Sequence, residues 1–517
     1  MKKIISMSLV AATMAFGATS AEIADLQAQI DKLKSNQSKI KAQGANDNIK
    51  WGVDLRTAVD NINYDIANGA SAKNDSLMGL RLWLNMAYAP DSHNVFKGRL
   101  SMNKAFGADF GDMSSNRAFG MGGMFDWTGN TALGDNHIRL SQAYWLYLGD
   151  NAFGLDMPWT FSLGRRPSTT GFLGNLREDD SPSSPLAHVI NVEFDGLSSK
   201  LDLSNITGIP GMSFKVCMGR GSTNATPMFA DGTPYAENEG LDNIDLAGFI
   251  FEPYNDGQFI VKTTWFKAFE LPGMDPVPAI SGDPMNPSLA MTPSDFTQYG
   301  DMQGAAISVL VDGITEDGYF ADAKVFGSFA WSKTQPDDGS AMLGSADSET
   351  GTSYWVGAQL PVTEKGVVGL EFNHGSQYWR PFTYAEDTMI GSKIAARGDA
   401  WEAYFTYQLT DALSAQVRYT DVTYDYAGSQ GFFGNFSGNA MKIDDMKAGA
   451  SAFAAMGGTV DQNGAHNLGV VTGALMGQGM PMAQAQQTAG EMAGAAIFAE
   501  NTVEAAQDFR FYLRYRF

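Results

Sequence analysis

The sequence has 517 residues, of which 44% are apolar, 12% aromatic and only 18% charged, with 57 glycines. Its 35 Lys and Arg stand against 57 Asp and Glu, giving a net charge of −22. So many aromatics and so few charges exclude a disordered chain, the acidity disfavours a nucleic-acid binder, and a lone cysteine, Cys217, excludes an intrachain disulfide.

Residues 1–21 read as a secretory signal peptide. Lys2 and Lys3 precede an apolar run from Ile4 to Gly17, and Thr19-Ser20-Ala21 offers the small residues of a cleavage site. No later stretch approaches the ~20 apolar residues that a membrane-spanning helix needs. Residues 22–43 follow as a short coiled coil. Ile23, Leu26, Ile30, Leu33, Gln37 and Ile40 step alternately by three and four, which is an a/d seam. A helix of under three heptads is marginal alone, so the seam predicts pairing with copies of itself. Residues 44–50 read as a linker.

From residue 51 to 517 the dominant period is two. Leu80, Leu82, Leu84, Met86 and Tyr88 alternate with Arg81, Trp83, Asn85 and Ala87; Trp401, Ala403, Phe405, Tyr407 and Leu409 form a later example. Sixteen such strands can be counted, with a parity shift near Asp195-Gly196 that predicts a bulge. Their connections alternate between short turns and long loops. That pattern predicts an all-β fold, a transmembrane antiparallel β-barrel of about 16 strands in a bacterial outer membrane, contacting lipid outside. An even strand number puts both barrel ends on the short-turn, periplasmic side. The long connections include residues 166–188, the third of them, and 427–505, the longest, in which Met480 to Phe498 can hold a helix. A soluble sandwich fits less well, because nearly every strand carries charge on its alternate face.

Chemistry-bearing motifs are absent. The five histidines form no HExxH pair, and no GxSxG or phosphate-binding loop stands in a strand–helix context. The sequence therefore predicts no catalytic site, no metal site and no cofactor.

The chain stops at Phe517, preceded at steps of two by Tyr515, Leu513, Phe511 and Phe509. This resembles the C-terminal strand that the barrel-assembly machinery reads in outer-membrane proteins. The strand and loop layout resembles the sixteen-stranded general porins. Phe372-Asn373-His374-Gly375-Ser376-Gln377-Tyr378-Trp379 and Tyr424-Asp425-Tyr426-Ala427-Gly428-Ser429 resemble an uncharacterised family of porin-like outer-membrane proteins. The resemblance implies a passive channel, assembled as a homotrimer, for ions and small hydrophilic solutes.

In porins the third long loop folds into the lumen. The corresponding loop here, residues 166–188, follows Gly164-Arg165-Arg166-Pro167 and carries Glu178, Asp179 and Asp180, which are candidates for the acidic side of a pore constriction. Strand parity turns Arg56, Arg81, Arg99, Arg139, Arg166 and Arg514 inward on adjacent staves, with Arg510, Arg516, Glu371, Glu402 and Arg418 as further inward groups. Charges there would cost roughly 2–4 kcal/mol each on a lipid face at midplane. The expectation is a basic wall facing the acidic loop across a wet channel. Trp83, Trp145, Tyr147, Trp355 and Tyr404 are candidate lumen aromatics. The net charge argues for weak cation preference. A structural or adhesive surface protein with a filled or closed barrel is the alternative.

Overall fold

Period-two strands with one apolar face leave two open edges in any flat sheet, and closing the sheet on itself removes both. The computed structural model of the protein describes residues 49–517, apart from 109–131, 135, 227, 229–231, 238, 239, 241, 295, 296, 316, 319, 384–387 and 430–437. The expected signal peptide and the expected coiled-coil seam of Ile23, Leu26, Ile30, Leu33 and Ile40 lie outside the described residues.

Sixteen strands close into an antiparallel barrel. They are β1 (Lys50–Ile66), β2 (Ser71–Tyr88), β3 (Asn94–Ala105), β4 (Arg139–Gly149), β5 (Trp159–Ser168), β6 (Ile190–Asp202), β7 (Ser213–Ser222) and β8 (Ile244–Asn255). There follow β9 (Phe259–Gly273), β10 (Thr297–Asp312), β11 (Lys324–Pro336), β12 (Thr350–Thr363), β13 (Gly366–Gly375), β14 (Gly398–Gln408), β15 (Leu413–Tyr424) and β16 (Val503–Arg516). Each pairs with its neighbours in sequence, and β16 closes the ring on β1 through pairs such as Val59↔Phe511. Backbone bonds of 3.0 Å in both directions between Val53 and Phe517 finish the seam.

Apolar side chains cover the outer face. Trp401, Phe329, Leu370 and Phe509 are each at least half exposed there, and Tyr515 and Phe517 are likewise exposed at the end of β16. The lumen face carries the charges. Two parity expectations change. The ladders of β6 with β5 and β7 run through Asp195-Gly196 without a shift. The bulge instead falls where Leu100 pairs with Leu140 but Arg99 with Gln142. One extra residue, Ser141, reverses the faces of β4 beyond it. Tyr144 is therefore buried inside, whereas Trp145 is exposed on the outer face and Tyr147 shares that face. Trp83, Trp355 and Tyr404 point into the lumen as expected.

The long connection before β16 folds into α1 (Ile443–Ala455), α2 (Leu468–Gly477) and α3 (Met482–Ala499). These helices pack on a four-stranded sheet made by the hairpin of Pro276–Asp283 with Asn286–Pro293 and a second, short hairpin. Leu289, Phe453, Val471, Leu475 and Ala489 form its own apolar core. The result is a cap at the long-loop end, built from the connections after β9 and β15. Among the described residues no helix is long and apolar enough to cross a membrane.

Candidate functional site

The loop between β5 and β6 turns into the barrel, helped by left-handed backbone at Thr170, Leu173 and Asp179 (φ 57°, 76° and 50°). Its two faces differ. Phe172, Leu173, Leu176, Leu186 and Val189 are buried against inward Phe266, Phe326 and Trp355. Burying side chains of this size stabilises by about 1.5–3 kcal/mol each, so the apolar face fixes the loop to the β9–β12 wall. The opposite face, Arg177 to Asp180, reaches the β14–β16 and β1 wall. Between these two faces the loop crosses the lumen.

His188 secures the exit of the loop. Its imidazole nitrogens lie 2.8 Å from Ser328 Oγ and 2.9 Å from Ser353 Oγ. Full burial with no carboxylate beside it pushes its pKa down from 6.5 to about 3, so the ring is neutral.

At the far wall the charges interlock. The Glu178 carboxylate accepts from Arg418 at 3.0 Å and from the Tyr512 hydroxyl at 2.8 Å, with Arg56 at 3.6 Å. Arg514 donates to the backbone carbonyl of Glu178 and to the Asp180 carboxylate, both at 2.7 Å, while its Nε holds Asp54 of β1 at 2.9 Å. Asp180 also meets Arg516 at 3.2 Å, and Arg516 donates to Asp179 Oδ2 at 2.8 Å. Arg177 reverses the sign and reaches Glu402 of β14 at 3.1 Å. Glu178 is 6% exposed, Arg56 5% and Arg514 2%. Charges so dry persist only when each has several partners.

The expected wet gap between loop and wall is therefore closed by direct contact along Glu178–Asp180. The six arginines named from parity divide into four groups. Arg56 and Arg514 bind the loop. Arg81 meets Asp54 at 3.6 Å and lines a cavity together with Glu178 and Asp180. Arg99 and Arg166 face another cavity, and Arg139 opens β4 opposite Ser101, lining none of the lumen cavities described next.

Three groups were not anticipated: Arg177, Tyr512 and Lys393. Arg177 is adjacent to the acidic run and was legible as its counter-charge. Lys393 belongs to the connection after β13, which also folds inward. It reaches Glu371 at 2.6 Å and Glu402 at 2.5 Å. Trp379, Phe382 and Ile394 of the same connection join the apolar core, and Phe382-Thr383 pairs in parallel with Ile190-Asn191. The apolar run Ile394-Ala395-Ala396 inside a long connection was the available signal.

Three lumen cavities lie along the basic wall and taper. A cavity of about 700 Å³ sits toward the short-turn end, bounded by Asp411 and Phe517 at its mouth and by Asp180 of the loop. It adjoins one of about 70 Å³ through Trp83 and Asp180, and that adjoins one of about 10 Å³ through Arg81 and Asn103. The last is about the size of one water.

Residues 71–468 match the model of a family described as "Protein of unknown function (DUF3373)". That span includes both segments on which the sequence resemblance rests. No curated protein matches the sequence. Among solved structures, in-vitro folded OmpT, an outer membrane protein of Vibrio cholerae, is 11% identical, with 91% of this chain and 97% of that chain covered and a TM-score of 0.41. The anion-selective porin from Comamonas acidovorans is 11% identical over 91% of this chain and 99% of that chain, with a TM-score of 0.43. Pseudomonas putida OprB is 11% identical over 91% and 94%, with a TM-score of 0.43.

Proposed function

The chain belongs to the DUF3373 family, and from the form of its lumen we propose that it is an outer-membrane porin. It passes ions and small hydrophilic solutes along the basic wall, narrowed by the loop that carries Glu178, Asp179 and Asp180. One observation carries this reading: the three cavities run in series beside Arg514, Arg81 and Arg56, and Glu178 and Asp180 line the middle one. The apolar outer face supports a place in lipid, with Tyr515 and Phe517 as the signal read by the barrel-assembly machinery. The protein acts as a homotrimer, exported by its signal peptide, with the seam of residues 22–43 joining the protomers at the periplasmic side. Loop release at the clasp sets the open fraction.

A second reading, a closed barrel that displays its cap and loops, is favoured by the apolar core inside the lumen. Single-channel recording in planar bilayers separates the two. Steps of three equal sublevels support the trimeric porin. A correctly folded barrel that stays silent supports the closed one.

A further inference from the structure

Among the described residues, Arg99 and Arg166 are two lumen arginines that form no ion pair with the loop. Arg99 is the cross-strand partner of both Asn85 and Gln142. The next pair along, Ala143 with Arg165, puts Arg166 beside Gln142 on β5. The two arginines thus stand two strand spacings apart, about 10 Å between backbones, with the Gln142 amide between them. All three line the 700 Å³ cavity.

Both guanidinium groups are stacked on aromatic rings. Arg99 lies 4.1 Å from the Trp83 ring centroid and Arg166 lies 4.3 Å from that of Tyr144. Stacking occupies the guanidinium face and leaves its edge, where the N–H donors are. Arg99 uses Nε on Asn85 Oδ1 at 2.8 Å, which fixes its orientation and leaves its terminal nitrogens free for another acceptor. Among the described residues neither arginine has a carboxylate within 4 Å, whereas Asp54, Asp179 and Asp180 of the same cavity are held by Arg514 and Arg516. Among the described residues the row therefore has donors in place and no carboxylate in contact with them.

We propose that this row is a binding site for small organic anions, in which Arg99 and Arg166 each hold a carboxylate by its two oxygens, Gln142 donates between them, and Trp83 and Tyr144 hold the two guanidinium groups in place from their stacked faces. Planar, edge-on guanidinium groups match carboxylates, and two of them on backbones about 10 Å apart suit a molecule with a carboxylate at each end better than a single inorganic anion. The inference deepens the channel reading by naming its solute class, and it puts anion preference in place of the cation preference suggested by net charge.

The test is calorimetric titration of the detergent-solubilised, full-length barrel with succinate, its neutral diamide and inorganic phosphate, beside bilayer recordings. Succinate is expected to bind, the diamide not. The double variant R99Q/R166Q should weaken succinate at least about tenfold, the loss expected for removing charge-assisted hydrogen bonds, and Arg99→Lys should weaken it less. No succinate binding to the native barrel, or equal binding to the double variant, overturns the site. Phosphate binding tighter than succinate overturns the assignment to carboxylates. Succinate binding by a barrel that never conducts upholds the site and removes the channel reading.

Discussion

Asp180 and Arg514 are 334 residues apart in the chain and meet at 2.7 Å inside the barrel. The same guanidinium holds Asp54 of β1, so one side chain ties the inserted loop to the seam where the barrel closes.

Asp180→Asn should loosen the loop and spare the seam. Losing ion-paired hydrogen bonds to Arg514 and Arg516 should weaken the clasp by about 1.5–3 kcal/mol. The released state then rises at least about tenfold, seen as a higher open probability in bilayer recordings. Glu178→Gln strips a charge from several buried guanidinium groups and should destabilise the folded barrel by about 3–5 kcal/mol, read from urea unfolding in micelles. Native gating in the first variant would remove the clasp from the mechanism.

His188 gives the loop a pH dependence of definite sign. Its pKa falls from 6.5 to about 3 on folding, so between those values the unfolded chain binds a proton that the native one does not. The stability that His188 contributes is complete above pH 6.5 and is lost progressively as pH drops toward 3. His188→Gln keeps hydrogen-bonding capacity without titrating. The difference in urea midpoint between pH 7 and pH 4 should be smaller in the variant than in the native chain; equal differences would exclude His188 as the source.

The outer face can be tested directly. Val356, mid-strand on β12, is exposed between Gly327 and Phe372. Val356→Arg should cost roughly 2–4 kcal/mol in a bilayer, measured by folding into vesicles. A variant that folds as well as the native chain would place this face in water.

The cap has its own core, so it should fail separately. Phe453→Ala removes a buried ring from the cap cluster, at a typical cost of about 3–5 kcal/mol. Limited proteolysis should then cut within residues 427–505 while the barrel keeps its heat-resistant mobility on gels. Loss of the barrel along with the cap would mean that the two fold as one unit.

The strands were legible because period two is a local signal. The centre of every one of the sixteen segments counted from alternation falls within an observed strand. Face assignment failed where one residue was added: Ser141 on β4 turned Trp145 and Tyr147 outward, and nothing in the local pattern announces a bulge. The acidic loop and the basic wall were legible as opposite charges, but not that they touch. Contact depends on how much of the lumen is already filled, and Trp379, Phe382 and Lys393 fill it from a connection nearly 200 residues further on. Packing across such separations leaves no periodic trace.

β16 is the last strand in chain order, and it supplies Arg514, Arg516 and Tyr512 to the inserted loop. The loop itself is made early, between β5 and β6. While the chain emerges, Glu178 to Asp180 have no complete seat, because most of their partners on the wall, Arg418, Tyr512, Arg514 and Arg516, do not yet exist. The final strand therefore does two jobs in one event: it joins the wall into a ring and gives the loop its anchorage. A barrel caught before that moment has both a slit in its side and an unguarded interior, and correct closure removes the two defects together.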